Sequence, residues 1–185
     1  MAKSTKLKQG VLLIAQPFLG DPHFERSVIL LCEHNERGSF GLILNQGSEG
    51  SLNDVWDNAD EEFKLYVGGP VEQNTLHFIH RLGKTVPETQ LLFPPLGWGG
   101  DYEFLQSQLA QGLLNAQDIR FFVGYAGWGK GQLQREYEEN TWIITPCEVD
   151  FLFNTPADDL WRATLKQMGG EHSLLANYPI DPRLN

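Results

Sequence analysis

Short apolar runs separated by turn residues dominate the first half of the chain, at 10–15, 27–33, 40–45, 65–67 and 75–80, and another stands at 119–123. Each has strand length and lies between turn-forming residues, so each is predicted to be a β-strand. Several are apolar on consecutive positions, as in VILLC at 28–32, rather than alternating with polar residues. Strands of that kind are expected to be covered on both faces. Between the second and third runs, HNERGS at 34–39 carries Asn35 and Gly38, residues of a compact hairpin loop, which predicts that these two strands are antiparallel neighbours.

Helical spacing appears in three places. Asp101–Gln111 opens on a capping residue, carries Tyr102, Leu105 and Leu109 on one side, and meets Gly112 where a C′ glycine belongs. Thr155–Met168 has Thr155 as predicted N-cap, Pro156 at N1, Asp158 and Asp159 in the first turn, and a core face of Leu160, Trp161, Leu165 and Met168 that stops at Gly169-Gly170. Gln132–Glu139 reads as a short helix with Gln132, Arg135, Glu136 and Glu139 on its polar side. Strands with inserted helices and no regular βαβ alternation give an α+β fold, with a mostly antiparallel sheet and helices packed on it. One domain over 1–185 is expected, with a flexible N-terminus at 1–9 and an extended arm at 176–185 that carries Pro179 and Pro182.

Composition narrows the partners more than the fold. The formal charge of −10, with no basic cluster beyond Lys3, Lys6 and Lys8, argues against direct nucleic-acid binding and against an anionic membrane surface. An acidic run, DNADEE at 57–62, reads as a solvated loop. GVLLIA before Gln16-Pro17 is too short for a signal segment, and Cys32 and Cys147 are the only cysteines, so a reducing, cytoplasmic setting is expected. The cysteines lack ligand spacing, and His77 and His80, at i and i+3 of a strand, point to opposite faces; no metal and no cofactor is expected.

Candidate chemistry concentrates in a few segments. Residues 119–142 combine an apolar strand, a glycine-rich turn from Gly124 to Gly131, and the polar helix. GYAGWGKG at 124–131 comes near the phosphate loop G-x-x-x-x-G-K-[ST], but Gly131 stands where a metal-binding hydroxyl belongs and the following helix is acidic. A tight turn that lets Trp128 pack inward is the simpler reading. The loop FLGDPHFERS at 18–27 brings Asp21, His23, Glu25 and Arg26 together, while Ser27, which opens a buried strand, reads as a hydrogen-bonding residue rather than a nucleophile. Asn45 at a strand end and the bend Gly68-Gly69-Pro70 complete the set, though turn formation alone accounts for both.

These segments also spell a family. LLIAQPFLGDPHFERSVILLCEHNERGSFGLILNQ at 12–46, YVGGPV at 66–71 with the following HFIHR, and FFVGYAGWGKGQLQREYEENTWI at 121–143 resemble the YqgE/AlgH family of bacterial proteins. The element GYAGW-x-x-GQL with a downstream Trp is the most specific part of the match. The resemblance implies a bifurcated antiparallel sheet curled into a pseudo-barrel with helices outside. It implies little about activity, although one branch of the family carries a label as a transcriptional regulator of alginate production. By motif it points to Asp21, Pro22, Phe24, Arg26, Ser27, Asn45, Gly68, Gly69, Pro70, Tyr125, Gly127, Trp128, Gln132 and Glu136 as candidate site positions. The chain departs from the family pattern at Lys130, at Gln134 and in the loop after His80, and an optional lysine weakens any phosphate reading.

A non-catalytic binding or regulatory module follows as the leading expectation, with an unknown protein or small-molecule partner recognised by the 124–131 turn, the Gln132 helix and the Asp21–Ser27 loop. The alternative is a small-substrate hydrolase with Asp21 or Glu136 as general base, assisted by His23 or Arg26. A third possibility is that all these motifs serve the fold.

Overall fold

The structure, a computed structural model, describes residues 5–57, 59 and 62–180. The first four residues, positions 58, 60 and 61 of the acidic run, and 181–185 of the C-terminal arm lie outside the described residues.

Among the described residues, ten strands form one bifurcated, mostly antiparallel sheet that does not close, and five helices pack on it: an α+β fold. In chain order they are β1 (Val11–Ala15), β2 (Val28–Asn35), β3 (Gly38–Ile43), β4 (Gly47–Ser51), β5 (Lys64–Val67), β6 (Val71–His80), β7 (Gln90–Phe93), β8 (Leu96–Trp98), α1 (Tyr102–Ala110), β9 (Ile119–Gly129), α2 (Gln132–Glu138), β10 (Trp142–Pro146), α3 (Val149–Asn154), α4 (Ala157–Met168) and α5 (Gly170–Leu175). The main path runs β10-β1-β2-β3-β9-β6-β8-β7.

Strand β9 is the spine, and its length corrects the predicted glycine turn. Residues 124–129 are not a loop: Ala126 to Gly129 pair with Gly41 to Gly38 of β3. The same strand's first half pairs with β6 on one edge and, in parallel, with β5 on the other. Along that second edge β9 therefore leaves β5 and joins β3, and the sheet forks at Gly68-Gly69. A Cβ on Gly69 would lie 2.1 Å from the Tyr125 carbonyl, and one on Gly68 would lie 2.3 Å from that of Gly124. The fork exists because two glycines let backbone meet backbone.

The consecutive apolar runs are indeed covered on both faces. Leu12, Ile14, Val28 and Leu30 pack with Leu160, Trp161 and Leu165 of α4, whereas Val11, Leu13, Ile29 and Leu31 pack with Trp128, Leu133 and Trp142 under α2. A third cluster, around Phe78, Leu105 and Phe121, fills the lobe beyond the fork. The predicted hairpin is present, with Asn35 opposite Gly38 and the Arg37 N–H donating to Asn35 Oδ1 at 2.8 Å. Asp101 caps α1 through the N–H groups of Glu103 and Phe104, and Gly112 ends it at φ 65°.

Several boundaries shift. Pro156, not Thr155, occupies the N-cap of α4, because Thr155 ends α3 one residue earlier. Leu7 packs against the sheet, so 5–9 is not wholly a free tail. The expected extended arm starts as a turn: Ala176 is buried, and Asn177 and Tyr178 donate back to Leu174 and Leu175. The unpredicted strands β4, β7, β8 and β10 are short or polar and become strands by pairing: β4 with the following β5, β7 with β8 in a hairpin, and β10 with the distant β1.

Candidate functional site

Helix α2 begins where β9 ends, and glycine makes the junction possible. Gly131 takes φ 68° at the N-cap, and the side chain of Gln132 turns back so that its Oε1 accepts the Gly129 N–H at 3.0 Å. One turn on, Glu136 faces the sheet. Its Oε2 accepts the indole N–H of Trp128 at 2.9 Å and that of Trp142 at 2.8 Å, while its Oε1 accepts from Gln132 Nε2 at 2.9 Å. Three neutral donors thus hold one carboxylate, and among the described residues no cation pairs with it. Trp142 reaches this place because Asn140, at φ 59°, ends α2: the Asn140 and Thr141 N–H groups bond to the carbonyls of Tyr137 and Glu136.

The loop from Phe18 to Ser27 supplies the other wall. Asp21 Oδ1 accepts the His23 N–H at 2.9 Å, and the Phe24 N–H donates to the Asp21 carbonyl at 3.1 Å, which fixes a compact turn. Phe24 meets Trp142 edge to face, with ring centroids 5.8 Å apart, and Trp128 meets Trp142 in the same way at 6.1 Å. Between loop and helix lies a cavity of about 260 Å³, lined by Leu19, Asp21, Phe24, Gly127, Trp128, Gln132, Glu136, Thr141 and Trp142. Both tryptophans are nearly buried, at 6% and 3% exposure, so they form its walls rather than projecting from the surface.

Of the predicted positions, the fold brings Asp21, Phe24, Gly127, Trp128, Gln132 and Glu136 together. The remainder lie elsewhere. Tyr125 is three residues from Trp128 on the same strand and so faces the other side of the sheet, where it packs against Phe40 and His77. Arg26 donates to the Tyr178 carbonyl at 2.7 Å and lies over the Trp161 ring; burial, then Arg162, lowers its pKa. Asn45 is a clamp: its Oδ1 accepts the Val28 N–H at 2.8 Å and its Nδ2 donates to the Arg26 carbonyl at 2.9 Å. Gly68, Gly69 and the adjoining Pro70 belong to the fork. His23 and Pro22 are exposed and do not line the cavity.

Ser27 hydrogen-bonds through its backbone, its N–H donating to Phe24 and its carbonyl accepting from Ala15, while its buried Oγ has no partner among the described residues. Nor is there a phosphate loop, since the backbone that would wrap the anion is committed to the ladder with β3.

Sequence reasoning missed Leu19, Thr141 and Trp142 as lining residues. Trp142 had a signal: WII after the αL-tolerant Asn140 reads as a strand start. Leu19 and Thr141 had none, because only the approach of the loop to α2 places them.

His77 and His80 do not share a ligand. Nε2 of His77 lies 2.9 Å from Thr75 Oγ1, and that of His80 lies 2.9 Å from Thr89 Oγ1. Burial raises both thiol pKa values, that of Cys147 to about 12, so neither is poised as a nucleophile. Among the described residues, no helix is long and apolar enough to cross a membrane.

The sequence model described as AlgH-like matches residues 12–173. A UPF0301 protein of Cytophaga hutchinsonii is 42% identical over 181 residues, which cover 97% of this chain and 100% of that protein. Another, of Chlorobium luteolum, is 41% identical over 183 residues, covering 97% and 96%. Among solved structures, the solution structure of the AlgH protein from Pseudomonas aeruginosa superposes with a TM-score of 0.74 at 28% identity, covering 97% of this chain and 98% of its own. The crystal structure of a Corynebacterium diphtheriae protein gives 0.78 at 25% identity, with 95% of each chain covered.

Proposed function

The chain belongs to the AlgH-like family, and on that footing we propose that it is a non-catalytic binding module whose recognition site is the cavity between Asp21 and Glu136. One observation carries this reading: the Glu136 side chain lines an aromatic-walled cavity, and its hydrogen-bond partners among the described residues are the neutral N–H groups of Trp128, Trp142 and Gln132. Asp21 adds a second carboxylate, and among the described residues no Lys or Arg lines the space. A small cation with an apolar stem, such as an arginine or lysine side chain presented by a partner, complements such walls through charge and through the aromatic faces. Any role in transcription would be indirect, through that partner, since a chain of charge −10 is a poor match for nucleic acid. The free, buried Cys32 and Cys147 support a cytoplasmic setting.

Titration with N-acetylarginine amide, followed by tryptophan fluorescence, tests the reading. Saturable quenching is expected in the native protein, and Asp21→Asn should weaken binding about tenfold, a loss of about 1.4 kcal/mol. Equal response from native protein and a Trp128→Ala, Gln132→Ala double variant would reject this surface.

A hydrolase reading has one observation in its favour, that Asp21 and Glu136 line the same cavity. Against it, both oxygens of Glu136 already accept hydrogen bonds, and neither His23 nor Arg26 lines the cavity. Turnover of ester, amide or phosphoester substrates that disappears in Asp21→Asn would replace binding with catalysis.

A further inference from the structure

The two ends of the open sheet, β10 and β7, do not pair, yet they come close at one point. Gly10, just before β1, abuts β7: a Cβ there would lie 3.0 Å from the Phe93 ring. Val11 of β1 pairs with Pro146 of β10, so the start of β1, the end of β10 and the end of β7 meet around a single seam. The seam opens into a cavity of about 950 Å³. That lies within the usual range for a small-molecule site, about 300–1,000 Å³.

The lining of this cavity is segregated. Buried Val11 and Cys147, half-buried Leu92 and Phe93, and exposed Pro146 supply the apolar side, while the segment before β1 supplies the polar side with Thr5, Gln9 and the exposed Lys6 and Lys8. Among the described lining residues none carries a carboxylate, although acidic residues outnumber basic ones 24 to 14 in the chain. An apolar side beside a cationic one is complementary to an aliphatic chain that ends in an anionic head. We infer that this seam binds a single-chain carboxylate amphiphile, its tail between Leu92, Phe93 and Pro146 and its head at Lys6 and Lys8.

A bilayer is a poorer occupant than a free amphiphile, because the apolar surface is concave and the molecule's net charge repels anionic headgroups. No thiol chemistry is implied: burial pushes the Cys147 thiol up to about 12. The thiol serves instead as a reporter, since Cys147 lines the cavity and Cys32 is sealed in the core.

Calorimetric titration of the full chain with decanoate, kept below its micellar range, tests the inference, with decylammonium as the charge-reversed probe. Saturable binding of decanoate is expected, together with at least tenfold slower labelling of Cys147 by an uncharged maleimide and at least tenfold weaker binding of decylammonium. Lys6→Glu with Lys8→Glu, both on the surface, should weaken decanoate at least tenfold and leave the arginine amide response of the Asp21 cavity unchanged. Equal binding of the two probes, no effect of the double substitution, or decanoate binding without protection of Cys147 would each overturn it.

Discussion

Trp142 donates its indole N–H to Glu136 at 2.8 Å, and that bond ties the start of strand β10 to the middle of helix α2. The same oxygen holds Trp128, so one carboxylate sets both walls of the candidate cavity. Glu136→Gln removes the charge and sets its amide against the amide of Gln132, which is already fixed by its bond to the Gly129 N–H. Stability should fall by about 1–3 kcal/mol in urea unfolding, with the arginine amide response abolished. A variant as stable as the native protein would show that the indoles do not depend on this acceptor.

Asn45 is expected to matter for folding and not for binding. Asn45→Ala leaves the buried Val28 N–H without its acceptor, a cost of about 1–3 kcal/mol. Ligand titration of the remaining folded protein should give the native affinity, because Asn45 does not line the cavity.

Glycines of one motif set should separate sharply. Gly69→Ala places a methyl group 2.1 Å from the Tyr125 backbone at a φ of 159°, and we expect a loss of about 3 kcal/mol or more, seen as poor soluble expression. Gly127→Ala meets only the Tyr125 ring, at 3.2 Å, and should fold with a melting temperature close to native. The added methyl lies on the Tyr125 face, away from the cavity, so ligand affinity should also stay close to native.

Acid should weaken the fold through its buried histidines. His80 is fully buried; its Nδ1 accepts the Leu82 N–H at 3.3 Å and its Nε2 contacts Thr89 Oγ1, so protonation would oppose the Leu82 contact. Burial lowers its pKa below the ordinary 6.5, and burial also lowers that of His77. The folded state therefore holds fewer protons than the unfolded chain. Stability from these groups is complete above the unfolded value and declines as pH falls from about 6.5 through the lowered folded values. Urea midpoints measured at about pH 7 and about pH 5 should differ, and His80→Gln should shrink that difference. An unchanged pH slope in the variant would place the acid sensitivity elsewhere.

Much of the architecture is written locally. VILLC at 28–32 announces a strand buried on both faces, Asn35 and Gly38 announce the hairpin, and Asp101 and Gly112 bracket α1. Each depends on residues a few positions apart, whose backbone preferences and hydrogen bonds need no distant partner. Part of the candidate site was readable in the same way, since Gln132 and Glu136 share a helix face and Asp21 and Phe24 share a turn.

Contacts between distant segments settled the rest. Residues 124–129 look like a loop by composition, but ladder bonds to β3 hold them as strand, and pairing outweighs the local freedom of glycine. Tyr125 and Trp128 stand together in the motif and are parted by the pleat, while Asp21 and Glu136, more than a hundred residues apart, face one cavity. The chain's residue order thus specified its strands, caps and family. The fork at Gly68-Gly69 and the packing of the Asp21 loop on α2 chose which motif residues meet, because long-range pairing and burial operate only once the sheet is assembled.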